Sequence, residues 1–205
     1  GRNGAGKTTT LRSIMGLTPP TRGSIQFEGN PIQGKSTHAI AQMGIGYVPE
    51  HRAIFKGLTV RENLILAERK TGDYARKADF IFELFPDLKR LIELPGGNLK
   101  LPGGNLSGGQ QQMLAVARAL VPDNRLLLID EPSEGLAPVI IEQLIAAIQR
   151  LADQVSVLLV EQNFRVASKL AQSYVIIEEG HSRVNGAMHE LVGDQSLIQR
   201  YLGVA

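Results

Sequence analysis

The sequence predicts an α/β fold with a parallel core sheet covered by helices on both faces. Three observations predict it. Two short apolar runs that end in acids, RLLLIDEP (125–132) and VSVLLVE (155–161), read as buried parallel strands whose carboxyl ends reach a site. Segments of helical period alternate with these runs, as a sheet layered between helices requires. The chain also opens on a glycine-rich loop, GRNGAGKTTT, that passes directly into a helical pattern.

The elements follow in order. Spacing from Thr8 through Leu11, Ile14 and Met15 predicts a helix ending near Gly16. GSIQFEGNPI (23–32) alternates and turns at Glu28-Gly29-Asn30, so it reads as a hairpin, a small antiparallel part beside the main sheet. Thr37 to Met43 reads as a short helix and GIGYVPE (44–50) as a strand closed by Pro49. From Thr59 to about Ile92 the pattern is helical, with Pro86 as a break. A glycine-rich passage follows, then a helix from Ser107 to Leu120. Ala137 to Leu151 and Phe164 to Ala171 are helical, SYVIIEEG (173–180) is a third strand, and Met188 to Leu202 forms short helices. One domain over 1–205 is expected, with an inserted helical subdomain at about 59–121. LPGGNLK (94–100) is echoed at once by LPGGNL (101–106), which reads as a tandem duplication in a loop. Loops tolerate such insertions because closure entropy grows only logarithmically with length.

Composition sets limits. The apolar fraction of 43% is sufficient for a core, and no window approaches the roughly 20 apolar residues of a membrane span. Cysteine is absent, which removes a disulfide framework and thiolate metal sites. The net charge of +2 comes without a basic stripe interleaved with aromatics, so no nucleic-acid partner is expected. No signal peptide is visible.

The first loop fits G-x-x-x-x-G-K-[ST] through Gly1, Gly6, Lys7 and Thr8. Glycines let successive N–H groups face one concavity, and the following helix adds its positive end. Lys7 can reach β and γ phosphates, and the Thr8 hydroxyl can bind Mg²⁺. The whole run Gly1, Arg2, Asn3, Gly4, Ala5, Gly6, Lys7, Thr8 and Thr9 is therefore assigned to a nucleotide triphosphate. Asp130 and Glu131 close their strand. Taken alone they read as an acidic pair ending a strand. Paired with a phosphate loop, Asp130 reads as a Mg²⁺ ligand and Glu131 as the group that orients a water. In LSGGQQQ, Ser107 reads locally as a helix N-cap, while Gly108 and Gly109 leave first-turn N–H groups uncovered for an anion.

GRNGAGKTTT, LSGGQ and LLLIDEP, in this order and spacing, resemble the ATP-binding cassette of ABC transporters, and the resemblance covers essentially the whole chain. It implies a P-loop ATPase using ATP and Mg²⁺ in a head-to-tail dimer. There Ser107, Gly108, Gly109 and Gln110 of one subunit seal ATP on the phosphate loop of the other. YVPEHRAIF, LTVRENL, ELFPDLK, DEPSEGLAPVII and LLVEQN look like the second ATPase subunit of branched-chain amino acid importers, the LivF type. Importers of urea or short-chain amides share much of this wording. The implied partners are a second ATPase subunit (heterodimer or homodimer), two membrane permease subunits and, indirectly, a solute-binding protein. The implied location is peripheral, on the cytoplasmic face of a bacterial or archaeal membrane. A soluble cassette ATPase and a non-hydrolysing regulatory module are the competing readings.

The chain departs from the general cassette at three positions. Glu50 stands where most cassettes carry a Mg²⁺-contacting Gln, and as a carboxylate it still suits the metal. Ala137 stands where many have Asp. Gln162 stands where many have a His on the γ phosphate, and it can donate a hydrogen bond but carries no charge. This last difference suggests two composite sites of unequal turnover. The family also places a strand and an adenine-stacking aromatic before the phosphate loop. The chain starts at the loop, so it is expected to be a piece lacking that segment, with the loop poorly anchored and nucleotide bound weakly.

Overall fold

A computed structural model describes residues 1–93 and 101–203. In chain order the elements are α1 (Lys7–Ile14), β1 (Gln26–Phe27), β2 (Asn30–Pro31), α2 (Thr37–Gln42), β3 (Ile45–Val48), α3 (Val60–Ile65), α4 (Asp73–Leu84) and α5 (Pro86–Glu93). A 3₁₀ turn at Gly103–Asn105 leads to α6 (Gly108–Leu120), β4 (Leu126–Asp130), α7 (Pro138–Ala152) and β5 (Ser156–Val160). The chain ends in α8 (Phe164–Leu170), β6 (Ser173–Glu178), β7 (His181–Ala187), α9 (Met188–Gly193) and α10 (Gln195–Leu202). They fall into two compact units, 1–43 with 159–205 and 44–158, the boundary passing through β5.

The second unit is built on a sheet of order β3-β4-β5. β3 and β4 run parallel, with Ile45 opposite Leu126 and Val48 opposite Ile129. The apolar run predicts this strand correctly: Leu127, Leu128, Ile129 and Asp130 have no exposed surface. The α6 helix begins where its capping residues require. Ser107 Oγ accepts from Gln110 N (3.2 Å) and Gln110 Oε1 accepts from Ser107 N (2.9 Å), a reciprocal capping box. Its buried face carries Met113, Leu114, Val116, Ala117 and Leu120. The long helical stretch predicted from Thr59 is three helices. Gly72, at φ 89, caps α4 in a left-handed conformation that glycine adopts without a Cβ penalty, and Pro86 starts α5 at the first-turn position where its missing N–H costs nothing. Arg69, in the loop before α4, ties this region to the sheet. Its guanidinium donates to Asn124 Oδ1 (2.8 Å), Ile45 O (3.3 Å) and Asp123 O (3.2 Å).

The second copy of the LPGGNL echo docks by its backbone. Thr59 and Pro102 form a β-bridge, Gly103 N donates to Leu58 O (2.8 Å) and Gly104 N to Lys56 O (2.9 Å). The first copy, 94–100, lies outside the described residues.

Two strand expectations are corrected. VSVLLVE forms β5, but as the edge strand of its sheet it is not buried, and Leu158 is 41% exposed. SYVIIEEG forms β6, but it is not a third parallel strand. It pairs antiparallel with β7, from Ser173 opposite Ala187 to Glu178 opposite His181. The pairing closes through Glu179 and Gly180, both at positive φ (51 and 75), the geometry of a two-residue hairpin whose twist matches its strands. Glu28 and Gly29 (φ 49 and 76) close the predicted β1–β2 hairpin in the same way. In the first unit Ile176, Met188, Leu191 and Ile198 form a core between this hairpin and the last helices, flanked by Phe164, Tyr174 and Val184.

Candidate functional site

The first unit holds the phosphate loop. Gly4 (φ 76) and Gly6 (φ 104) take left-handed conformations, so the backbone curls before α1 begins at Lys7. A Cβ on Gly1 would lie 2.2 Å from Ile177 O, so no side chain fits there. Gly180 N donates to Ala5 O (2.9 Å). The loop is thus clasped by the β6–β7 hairpin, where the sequence led to an expectation of poor anchoring. Lys7 is buried, its ammonium donating to Arg2 O (3.0 Å) inside the loop. Thr8 is half-buried at the helix start, and Arg2, Asn3 and Thr9 are exposed. Thr10 Oγ1 donates to Gly6 O (3.0 Å), which steadies the first turn. Gln162 lies in the same unit, exposed between β5 and α8. Its neighbour Asn163 caps α8 by accepting from Val166 N (3.4 Å).

The second unit holds the acids and the serine-glycine helix tip. Because Val48 is level with Ile129, Glu50 and the Asp130-Glu131 pair emerge from the carboxyl ends of adjacent parallel strands. That is the edge of an α/β sheet where ligands are held. Asp130 is fully buried and its Oδ2 accepts from the Tyr47 hydroxyl (3.4 Å). Glu131 is half-buried at φ 43, a left-handed conformation that costs a non-glycine residue about 1–2 kcal/mol. Strain of that kind clusters at functional sites.

The tip of α6 leaves little room for side chains at its glycines. A Cβ on Gly108 would lie 2.9 Å from Arg52 Nη1, and one on Gly109 would lie 2.9 Å from Ile140 Cγ2. Ser107 is exposed. Its oxygen accepts the capping bond from Gln110 N, which leaves the hydroxyl proton able to donate, so capping and anion binding are compatible. Ala137, the other departure from the cassette pattern, is the exposed N-cap of α7 without a side-chain bond.

Sequence reasoning missed Tyr47, Arg52 and Arg118. Arg52 Nη2 donates to Glu134 O (3.3 Å). Arg118 donates to Ala53 O and lies 4.7 Å over the Phe55 ring, and burial pulls its guanidinium below the ordinary value. Asn63, also missed, is fully buried and bonds Phe55, Leu58 and Thr59. A groove of about 540 Å³ lies beside α3, lined by Leu58, Glu62, Ile65, Leu66 and Arg69, and contains none of the predicted site residues.

With this geometry in place the comparisons are specific. The ABC transporter family profile matches residues 1–134. The chain belongs to the ABC transporter family. Over 206 residues it is 41% identical to the high-affinity branched-chain amino acid transport ATP-binding protein BraG of Pseudomonas aeruginosa, covering 99% of this chain and 85% of that protein. It is 33% identical to a probable branched-chain amino acid transport ATP-binding protein, LivF, of Archaeoglobus fulgidus (100% and 85%), and 32% identical to the lipopolysaccharide export ATP-binding protein LptB of Escherichia coli K12 (99% and 83%). The fold matches an ATP-binding cassette of an ABC transporter in its ADP conformation, with TM-score 0.79 and 23% identity, over 98% of this chain and 85% of that one. It also matches a bacterial Atm1-family ABC exporter with ATP bound, with TM-score 0.82 and 20% identity, over 98% of this chain and 35% of that one. The cassette fold is thereby established, and family membership implies ATP binding and hydrolysis.

Proposed function

We propose that this cassette powers an importer of branched-chain amino acids as a peripheral subunit on the cytoplasmic face of the membrane. The observation that carries the proposal is the 41% identity to BraG along nearly the whole chain, against 32% to the export protein LptB. No helix among the described residues is long and apolar enough to cross a membrane, so permease subunits would supply the path. The exposed Ile65 and Leu66, which line the groove at α3, offer an apolar surface on which a permease can dock.

In the first unit, the backbone N–H groups of Gly1 to Thr9 and the Lys7 ammonium take the triphosphate, and Gln162 donates a hydrogen bond to the γ phosphate. In the second, Glu131 orients the attacking water. Ser107, Gly108, Gly109 and Gln110 close over nucleotide held by a partner ATPase subunit. For Mg²⁺ the first unit would offer the Thr8 hydroxyl, and the second the Asp130 and Glu50 carboxylates. Among the described residues no cluster of three or more His, Asp or Glu could hold a metal by protein ligands alone. That suits Mg²⁺, which binds through one or two carboxylates plus substrate phosphates and retains waters. When bound, the ion neutralises charge on the β and γ oxygens.

The test is reconstitution with permease subunits and a partner ATPase of the branched-chain importer type, in a strain unable to take up leucine. Wild type restores labelled leucine uptake and ATP hydrolysis, and Glu131→Gln abolishes both. Hydrolysis with uptake of urea or a short-chain amide in place of leucine would reassign the solute. Hydrolysis undiminished in Glu131→Gln would overturn the assigned mechanism.

A further inference from the structure

We infer that Arg52 is a positioning residue for hydrolysis, locking the serine-glycine tip of α6 to the turn that follows Glu131. The inference rests on the roles proposed above for Glu131 and Ser107–Gln110, and on contacts lying wholly within the second unit. The Arg52 guanidinium reaches two functional segments at once. On one side Nη1 lies 2.9 Å from the position a Cβ of Gly108 would take, so the guanidinium packs against the bare face of that glycine. On the other side Nη2 donates to Glu134 O (3.3 Å) and lies 3.6 Å from where a Cβ of Gly135 would be. The turn it grips is short, for Glu134 N donates to Glu131 O (3.2 Å). A shift at Glu134 is therefore passed to the residue proposed to orient water.

The backbone of Arg52 is itself strained. Ala53 N donates to His51 O (2.7 Å) across Arg52 at φ 53, a tight three-residue turn that is rare for a side-chain-bearing residue. Such conformations persist where neighbours over-determine them and concentrate at functional positions. Here Arg118 of α6 holds Ala53 O and stacks on Phe55, so the chain leaving the turn is tied back to α6.

The charge is also placed against ordinary helix preference. Cations favour helix C-termini, and Arg52 stands at the positive end of α6. Among the described residues its hydrogen-bond acceptor is a neutral carbonyl and no carboxylate is in ion-pair contact with it. A purely structural role would be served better by a neutral donor. The five-donor planar fork, able to touch two backbone segments in one plane, is what arginine offers and lysine lacks.

The experiment uses the assembled transporter with wild type, Arg52→Ala, Arg52→Lys and Glu131→Gln, measuring kcat and KM for ATP together with the thermal midpoint. A misplaced catalytic group costs up to about 100-fold, so Arg52→Ala is expected to lower kcat by roughly 10- to 100-fold. KM should change less than about threefold, because phosphate binding in the other unit is untouched and the loss falls on the transition state. Arg52→Lys should recover part of the rate, and the midpoint should hold. An Arg52→Ala rate within twofold of wild type, while Glu131→Gln is inactive, overturns the role of Arg52 and leaves the proposed function standing. A loss of rate matched by a lower midpoint, with no gain in Arg52→Lys, overturns it too. A wild-type complex without ATPase activity overturns both.

Discussion

Asn63 anchors the loop that links Phe55 to α3, and its removal should cost about 3 kcal/mol of stability. The figure follows from its partners. The side chain is fully buried; Oδ1 accepts from Phe55 N (2.9 Å), and Nδ2 donates to Phe55 O (3.0 Å), Leu58 O (3.1 Å) and Thr59 O (2.9 Å). The three carbonyls keep other donors: Leu58 N for Phe55, Gly103 N for Leu58 and Asn63 N for Thr59. Truncation to alanine therefore orphans only the Phe55 amide, at about 1–3 kcal/mol, and forfeits two side-chain donors worth about 0.5–1.5 kcal/mol each. Phe55 is 46% exposed, so water reaching its amide holds the total to about 3 kcal/mol, in the lower half of the summed range. For a chain of this size, about 3 kcal/mol corresponds to a fall of roughly 6–12 °C in thermal midpoint. Asn63→Asp is a sharper probe. It keeps the acceptor for Phe55 N but turns a second oxygen toward three carbonyls in a buried site, which raises the carboxyl above its unfolded value. Its stability should therefore be greatest below about pH 4 and fall as pH rises, the opposite of an ordinary paired carboxylate. Urea titrations of wild type and both variants at acid and neutral pH read this directly. An Asn63→Ala cost under about 1 kcal/mol, or an Asn63→Asp variant as stable as wild type at pH 7, would refute the reasoning.

Gln162→His should raise single-site turnover in the assembled complex, and an unchanged rate would remove the support for unequal sites. Asp73 supplies a pH test. Burial alone would raise its carboxyl, but hydrogen bonds from Lys70 N, Arg76 and Arg69 N together hold it below the ordinary 3.8. Its contribution is thus present above 3.8 and lost as pH falls through the lower folded value, so Asp73→Asn should flatten the acid limb of the stability curve while lowering stability at pH 7. Gly109→Ala should slow hydrolysis, because its Cβ would meet Ile140 at 2.9 to 3.2 Å, and adding Ile140→Ala should restore part of the rate.

What the sequence revealed, and what it hid, separates by the kind of signal each element carries. β4 was legible because a strand buried on both faces must be apolar throughout, and α6 because its capping residues define its start whatever surrounds it. β7 was not legible. HSRVNGA is held in place by backbone pairing to β6, which leaves little trace in side-chain hydrophobicity. The signal that could have found it is the dipeptide Glu179-Gly180, which repeats the Glu28-Gly29 turn of the other hairpin, down to both positive φ angles. The same distinction governs the site. Phosphate-loop and strand-end residues can be assigned from the sequence because their spacing along the chain is fixed by the ligand they suit. Arg52, Arg118 and Asn63 act on carbonyls of other segments, and Arg52 and Arg118 reach theirs across 82 and 65 residues. No local pattern distinguishes such an arginine from one that merely solvates a surface. The residues that hold a site in register are thus hidden in the sequence by the same property that makes them useful, since a partner distant along the chain is what lets one side chain fix two segments together.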